Sequence, residues 1–364
     1  MRPGWSACVA AAAIVLGLAA GPAAAVAHNL EPLDPGAQPT GAAFAGFRDR
    51  VLPGRARASA AASGFSHLYQ AADGSRVLVE TSGSIGDTPQ TRAAAQGYVD
   101  FLAGHLHGPE LSLLRIFIGP PAEINDACGG GEGVLACYSR GEQRMYVPDR
   151  DPHAGGPFTR DYALTHEYGH HIAGNRSDYP FPALSYGPKY WSSYEHVCAG
   201  AENGLYFPGN QGVHYFQDPG EGFADSYAHL RYPDVLWQFA AGLRPDAGAF
   251  AATRRDVLTP WKRQVQTTLS GFLGGGRDAR SFNLGVALDG VVQLKLHGPP
   301  GSNFDLEIRD RHHRLVTRSR TRGSTDATSA IVCRAAGVET ATARVRVLRR
   351  GGAGRFTVTA KYPA

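Results

Sequence analysis

The chain has 364 residues, of which 43% are hydrophobic and 19% are charged, and its formal net charge is +4. Glycine and proline supply 70 of the 364 residues, about 19%, below the roughly 25–30% that marks low-complexity disorder. The composition therefore excludes a collagen, a coiled coil and a disordered tail, and the length is typical of two domains. Because basic and acidic residues nearly balance, the charge gives no reason to expect a nucleic-acid partner.

Residues 1–27 have the organisation of a secretory signal peptide. Arg2 is followed by an apolar stretch over residues 7–20 and then by small residues that end in Ala25-Val26-Ala27. This pattern predicts cleavage after Ala27. The alternative is a retained membrane anchor, but the stretch is shorter than the roughly 20 residues that a spanning helix needs. We therefore expect a secreted, extracellular protein with no membrane anchor in its mature form.

The next segment, residues 28–64, is rich in alanine, proline, glycine and arginine and shows little periodicity. It is typical of a mobile leader or a short pro-segment, and the sequence leaves open which of the two it is. After it, the patterns predict a β-hairpin over residues 67–80, a helix over 91–106 and a strand over 111–118. This succession indicates a mixed α/β region.

Four cysteines remain after removal of the signal peptide, in a compartment that permits disulfides. Cys128 and Cys137 flank the glycine-rich residues 129–133, which are flexible enough to bring the two sulfurs together, so we expect a structural disulfide between them. Cys198 and Cys333 could link two domains, or either could be a small buried hydrophobic residue.

A short strand is predicted over residues 144–147, and a helix over 158–173 contains the pattern His-Glu-x-x-His. The spacing of four places His166 and His170 one turn apart on the same face, where both imidazoles can bind one ion. Zinc suits two neutral imidazoles. Glu167 lies about 100° further round the helix, where its carboxylate can act as general base toward a zinc-bound water.

The alternative interpretation of this helix is an ordinary polar face. Leu164, Tyr168 and Ile172 form an apolar stripe with a spacing of four residues, which indicates that the helix is mostly buried. Buried histidine and glutamate side chains need partners, and a metal ion provides them. The stripe therefore favours the metal site.

A catalytic zinc ion needs a third protein ligand, and the best candidate lies at the start of a second predicted helix. Asp218 is a suitable N-cap and Pro219 a suitable first residue, so Glu221 lies in the first turn. Asp225, one turn further on, can accept the outward N–H of a ligating histidine. The alternative is a capping box in which Glu221 only bonds back to the helix start.

A glycine-rich stretch over residues 271–280 is typical of a linker. Beyond it, residues 281–364 show short alternating runs separated by turn residues, which predict a small antiparallel β-sandwich. By pattern alone this part resembles the pre-peptidase C-terminal type of domain that accompanies secreted bacterial peptidases.

The pair of motifs, His166-Glu167-x-x-His170 and Glu221-x-x-x-Asp225, resembles that of the gluzincin branch of zincin metallopeptidases. The resemblance is confined to these two helices. It implies an α+β zincin-like catalytic domain, with a mixed sheet and active-site helices, over residues 65–270, followed by the small all-β sandwich. It further implies that Zn²⁺ binds to His166, His170 and Glu221, that Glu167 is the catalytic base, and that Asp225 supports a ligand.

The expected function is that of a secreted zinc-dependent endopeptidase acting on a protein or peptide substrate. One alternative is a secreted zinc-binding or adhesion protein without catalysis, and another is a zinc hydrolase of a non-protein amide, such as one in the cell wall. An oxyanion-stabilising residue is also expected, and Tyr215, Tyr227 and His229 remain open for that role. The sequence leaves the oligomeric state open.

Overall fold

The structure is a computed structural model that describes residues 29–33, 48–54, 63–131, 133–151 and 159–364. The predicted signal peptide lies outside the described residues, and the predicted leader is described only in part. Within the described parts of the chain, no helix is long and apolar enough to cross a membrane.

The N-terminal region is a mixed sheet covered by helices. Its strands are β1 (Val51–Leu52), β2 (Ser63–Gln70), β3 (Arg76–Ser82), β4 (Arg115–Gly119), β5 (Cys137–Ser139) and β6 (Arg144–Pro148). Its helices are α1 (Pro89–Ala103), α2 (Pro121–Ala127), α3 (Arg160–Gly174), α4 (Ala183–Tyr186), α5 (Lys189–Tyr194), α6 (Val197–Glu202), α7 (Pro219–Ala228) and α8 (Ala247–Leu258).

The six strands of this region lie in the order β1-β5-β6-β4-β3-β2. β3, β4 and β6 run parallel, while β2 and β5 pair antiparallel with their neighbours. The predicted hairpin corresponds to β2 and β3. The strand predicted over 111–118 begins only at Arg115, because Pro109–Leu113 forms a 3₁₀ turn.

β1 is the unexpected member of the sheet, because it belongs to the predicted leader. It pairs parallel with β5 at the edge of the sheet, with Val51 opposite Tyr138 and Leu52 opposite Ser139. Residues 48–54, part of the segment predicted as a mobile leader or a short pro-segment, therefore belong to the folded region. Their place in the sheet depends on long-range pairing, which a single sequence does not display.

Helices α3 and α7 pack against each other beneath the sheet. The Thr159 side chain caps α3 by accepting from the Tyr162 amide at 3.2 Å, and every residue of α3 is buried. The two helices approach closely at Gly169, where an added Cβ would lie 2.8 Å from Ala224 Cα. Only glycine fits this contact, and the contact brings the residues of both helices within reach of one ion.

The C-terminal region is an antiparallel sandwich of two four-stranded sheets, β11-β10-β13-β8 and β12-β9-β14-β7. Its strands are β7 (Val265–Leu273), β8 (Ala279–Val286), β9 (Gly290–His297), β10 (Asn303–Arg309), β11 (Leu315–Ser319), β12 (Thr325–Val332), β13 (Ala341–Gly351) and β14 (Gly354–Tyr362). Alternate residues face the interior, as with Val345 and Val347 of β13, which are fully buried. The expected fold class, a mixed α/β region followed by an antiparallel β-sandwich, is confirmed.

The boundary between the regions differs from the prediction. β7 pairs with β14 over its whole length, so the sandwich begins at Val265 rather than at residue 281. The predicted linker, residues 271–280, contains the end of β7, the turn after it and the start of β8. Its glycines serve this turn, in which Gly274, Gly275 and Gly276 all have positive φ values.

A disulfide and a buried lysine join the two regions. Cys198 of α6 is bonded to Cys333 of the sandwich. Lys189 is 1% exposed, and its Nζ donates to the Asp289 carbonyl of the sandwich at 3.1 Å. Burial lowers the pKa of Lys189, while the surrounding aspartates counteract that shift. The open alternative for Cys198 and Cys333 is thus decided in favour of a link between regions.

Candidate metal centre

Helix α3 presents two histidines to one point in the interior. The rings of His166 and His170 lie with their centroids 5.0 Å apart, as expected for residues one turn apart on one face. Both side chains are completely buried. The Nε2 atoms of both rings approach the same oxygen, Glu221 Oε2, at 3.4 Å for His166 and 3.2 Å for His170.

Helix α7 supplies that oxygen from its first turn. Asp218 is the N-cap, and its Oδ1 accepts from the Gly220 amide at 2.9 Å. The reciprocal half of a capping box is not formed, because Glu221 directs Oε2 toward the histidines and its Oε1 accepts from Gln211 Nε2 at 2.6 Å. The structure therefore favours a place for the Glu221 side chain in the metal-binding group over a role in a capping box.

A fourth residue joins this group from the predicted leader. Asp49 Oδ2 lies 2.8 Å from His170 Nε2 and 3.5 Å from His166 Nε2. Sequence reasoning missed this residue, because it is a lone aspartate between Arg48 and Arg50 in a stretch without periodicity. No local signal could have identified it, since its position depends on the pairing of β1 with β5.

One ligand atom from each of Asp49, His166, His170 and Glu221 lies within 4.8 Å of the other three. Zn²⁺ binds histidine nitrogens and carboxylate oxygens at about 2.0–2.1 Å in a tetrahedron, which separates neighbouring ligand atoms by about 3.3 Å. The histidine-to-carboxylate separations of 2.8–3.5 Å match this spacing. The donor set and its size therefore fit a zinc ion, although the same group could hold another divalent metal.

The charges of neighbouring side chains in the group shift the pKa values of His170 and Asp49. Burial by itself lowers the pKa of His170, but the carboxylates of Glu221 and Asp49 outweigh it and raise the pKa to about 10. The pKa of Asp49 is held well below its ordinary value by the same histidines, against the effect of burial. A histidine must lose its proton to bind a metal, so metal binding at this group releases protons and strengthens with rising pH.

Glu167 is the most unusual side chain near the group. It is completely buried, and neither of its carboxylate oxygens has a hydrogen-bond partner among the described residues. Burial raises its pKa well above the ordinary value, and the negative charge of Asp49 raises it further. Buried carboxylates without partners are costly, and they are concentrated at functional sites.

The other predicted site residue, Asp225, lies behind the histidines on α7. Its Oδ1 is 3.4 Å from His166 Nδ1, on the side of the ring opposite the ligand atom. The hydroxyl of Tyr162 also donates to Asp225 Oδ1. A carboxylate in this position orients a ligating imidazole and increases its basicity.

Of the three residues left open for the oxyanion, only Tyr215 contacts the metal-binding group. Its hydroxyl donates to Asp49 Oδ1 at 2.6 Å, and it accepts from the Asp49 amide at 3.3 Å. The hydroxyl of Tyr227 instead donates to the Leu106 carbonyl, and both ring nitrogens of His229 contact backbone carbonyls.

The predicted disulfide between Cys128 and Cys137 is present, and it fixes β5 to the loop after α2.

Comparisons with known proteins add a distant likeness for the β-sandwich alone. No protein-family model and no curated protein matches the chain. The pre-peptidase C-terminal domain of a collagenase from Bacillus anthracis aligns with 26% of this chain and 89% of that domain, at 13% identity and a TM-score of 0.23. A mitogen from Yersinia pseudotuberculosis aligns with 27% of this chain and 86% of its own, at 9% identity and a TM-score of 0.22. Likeness at this level does not identify a family.

Proposed function

We propose that the chain is a secreted zinc-dependent endopeptidase of the gluzincin type, with His166, His170 and Glu221 as metal ligands. The observation that carries the proposal is Glu167, a buried carboxylate with no hydrogen-bond partner among the described residues, beside a convergent group of histidines and carboxylates. A purely structural metal site has no use for such a group, whereas a hydrolase needs a general base at this place.

In the proposed reaction a bound zinc ion supplies a Lewis acid that polarises the scissile carbonyl and lowers the pKa of water in contact with it. Glu167 accepts the proton of the attacking water and then delivers it to the leaving amine. Burial raises its pKa well above the ordinary value, so this carboxylate accepts a proton more readily than an exposed glutamate does. Asp225 keeps the His166 ring in the orientation that metal binding needs.

Tyr215 is the residue we assign to stabilisation of the oxyanion. Its hydroxyl already donates to a negatively charged oxygen next to the metal ligands, namely Asp49 Oδ1. A donor aimed at this place serves equally well when the negative charge develops on a substrate oxygen. The buried phenol keeps its proton, because burial and then Asp49 raise its pKa well above the ordinary value.

The substrate class and location are part of the same proposal. An extended peptide is the expected substrate, because Asp49 of the metal-binding group lies two residues before β1 at the edge of the sheet, where main-chain hydrogen bonds can align a polypeptide. The two disulfides support export from the cell.

A second function is favoured by one observation, the presence of Asp49 among the possible ligands. Four protein ligands without an open position are typical of structural zinc, so the group could serve a zinc-binding protein without catalysis. Glu167, buried and without a hydrogen-bond partner in the part of the chain that the structure describes, is unexplained in that case, and we therefore place this function second.

The test is the cleavage of an unfolded protein by the purified mature chain, in wild-type form and with Glu167→Gln. The same pair is prepared with Asp49→Asn as background, so that a blocked fourth position cannot mask activity. Cleavage that a chelator abolishes, that zinc restores and that Glu167→Gln removes is the expected result. Zinc-loaded, folded protein that cleaves nothing in either background would refute the peptidase and leave the structural metal site.

A further inference from the structure

We infer that Asp49 and the segment that carries it, residues 48–54, hold the metal centre in a closed, latent form. The inference rests on the proposed function, because latency has a meaning only for a site that acts on a substrate. Its basis is that Asp49 brings a fourth ligand atom to a group in which catalysis uses three. Asp49 thus takes the position that water or substrate must occupy.

The burial of the site supports the closed form. The side chains of His166, His170 and Glu221 have no exposed surface, and neither has the base Glu167. A hydrolase in this arrangement cannot bring a peptide bond to its base. Some part of the chain around the site must therefore move before any turnover.

Residues 48–52 also occupy the edge of the sheet that an extended peptide would use. The Arg48 amide donates to the Gly133 carbonyl at 2.9 Å, and the Arg48 carbonyl accepts from the Leu135 amide at 3.1 Å. The Arg50 carbonyl accepts from the Tyr138 amide of β5 at 3.0 Å, and the Leu52 carbonyl accepts from the Arg140 amide, just after β5, at 3.1 Å. Such main-chain bonds are those by which a bound peptide adds a strand to a sheet. The segment thus blocks both the metal and the backbone-binding edge.

The segment can leave without loss of the main hydrophobic core, to which none of its residues belongs. Pro53 and Gly54 are exposed, and the side chains of Val51 and Leu52 are only half-buried. Asp49, at 1% exposed, is the one residue of the segment that is deeply buried. The other side-chain attachments of the segment include the bonds of Asp49 to the histidines and Tyr215, the contact of the Val51 amide with Gln211 Oε1 at 3.1 Å, and the packing of Leu52 against a small apolar cluster. An edge strand held in this way opens at lower cost than a central one.

The experiment uses the full mature chain with Co²⁺ in the site and acetohydroxamate, a small bidentate metal ligand, as the probe. Hydroxamate binding is followed by the visible spectrum of Co²⁺, so the readout needs no peptide cleavage. Asp49→Asn keeps the size of the side chain and an acceptor for Tyr215 but removes the charged ligand. The matched control is Asp73→Asn, which makes the same change at an exposed turn residue. Metal affinity is measured on all three proteins by competition with a chelator.

We expect Asp49→Asn to bind hydroxamate at least about tenfold more tightly than the wild type, because the probe no longer competes with a populated closed form. Asp73→Asn should match the wild type. Equal hydroxamate affinity in wild type and Asp49→Asn would overturn the inference, and so would an Asp49→Asn protein that no longer takes up Co²⁺, since Asp49 would then be a resident ligand.

The two measurements distinguish failure of this inference from failure of the proposed function. If Asp49→Asn tightens hydroxamate binding but the protein cleaves no peptide, the closed form stands and the peptidase does not. Should Asp49→Asn fail to fold, Ser139→Ala gives a second route to the test, because it removes the hydroxyl that donates to the Gly54 carbonyl of the segment and retains every group at the metal. Tighter hydroxamate binding is again expected, and unchanged binding would contradict the inference.

Discussion

The N-terminal region and the C-terminal sandwich differ in where their buried charged side chains lie and in how these are paired. In the N-terminal region, charged side chains lie inside the packed core, and Glu167 has no hydrogen-bond partner among the described residues. In the sandwich the interior is apolar, and the buried acids Asp305 and Glu307 lie on the outer face of β10, where arginines pair with them. A charge buried without a partner costs stability, so the contrast indicates which region retains such groups for a function.

The largest expected effect is the loss of activity on removal of the proposed base. Glu167→Gln should lower the rate of peptide cleavage about 10²- to 10⁴-fold, the usual contribution of general base catalysis. Zinc content should stay unchanged, because Glu167 is not among the four possible ligands. The control is Glu339→Gln, the same change at an exposed residue of the sandwich. Equal loss of zinc and of activity in Glu167→Gln would mean that the residue acts in metal binding instead.

The two disulfides should differ in their contribution to the free energy of unfolding. Cys198–Cys333 closes a loop of 135 residues and joins the two regions, whereas Cys128–Cys137 closes a loop of 9. In the chain-entropy model the long loop contributes about 5 kcal/mol and the short one about 3 kcal/mol. Urea unfolding of Cys198→Ser with Cys333→Ser, compared with the corresponding Cys128 and Cys137 pair, measures the difference. A larger loss for the short loop would show that local strain, not chain entropy, dominates.

The paired charges on the outer face of the sandwich should contribute to its free energy of unfolding. Glu307 is buried, and Arg309 and Arg318 contact its carboxylate at 2.9 and 2.8 Å. Glu307→Gln leaves these arginines without their counter-ion and should cost about 2 kcal/mol of unfolding free energy, less than for fully buried pairs because the arginines are partly exposed. Thermal unfolding checks this, with Glu339→Gln as control. A neutral result would mean that water replaces the carboxylate at no cost.

The sequence predicts local features of the site well and long-range ones poorly. His166 and His170 follow from a spacing within one helix, and Glu221 from the start of another, so their elements could be located without the fold. Asp49 could not be found, because only the pairing of β1 with β5 brings it to the histidines. β7 was missed for a related reason: as an edge strand with polar residues and a glycine near its end, it resembles a linker until β14 pairs with it.

The smallest expected effect is on the pH dependence of the unfolding free energy, through a buried aspartate at the junction of the two regions. Asp289 is 1% exposed, and burial raises its pKa to about 7. The folded state then holds a proton that the unfolded state releases above its pKa of about 4, so the contribution of Asp289 to stability is complete at low pH and is lost as the pH rises toward 7. One proton accounts for at most about 1.4 kcal/mol per pH unit.

Asp289→Asn should reduce the slope of the unfolding free energy between pH 4 and pH 7 by up to about this amount, while exposed Asp234→Asn should leave the slope unchanged. A slope that Asp289→Asn does not alter would place the pH dependence in the N-terminal region, where burial raises the pKa of Asp256 and Glu195 to about 8, and would sharpen the contrast between the two regions.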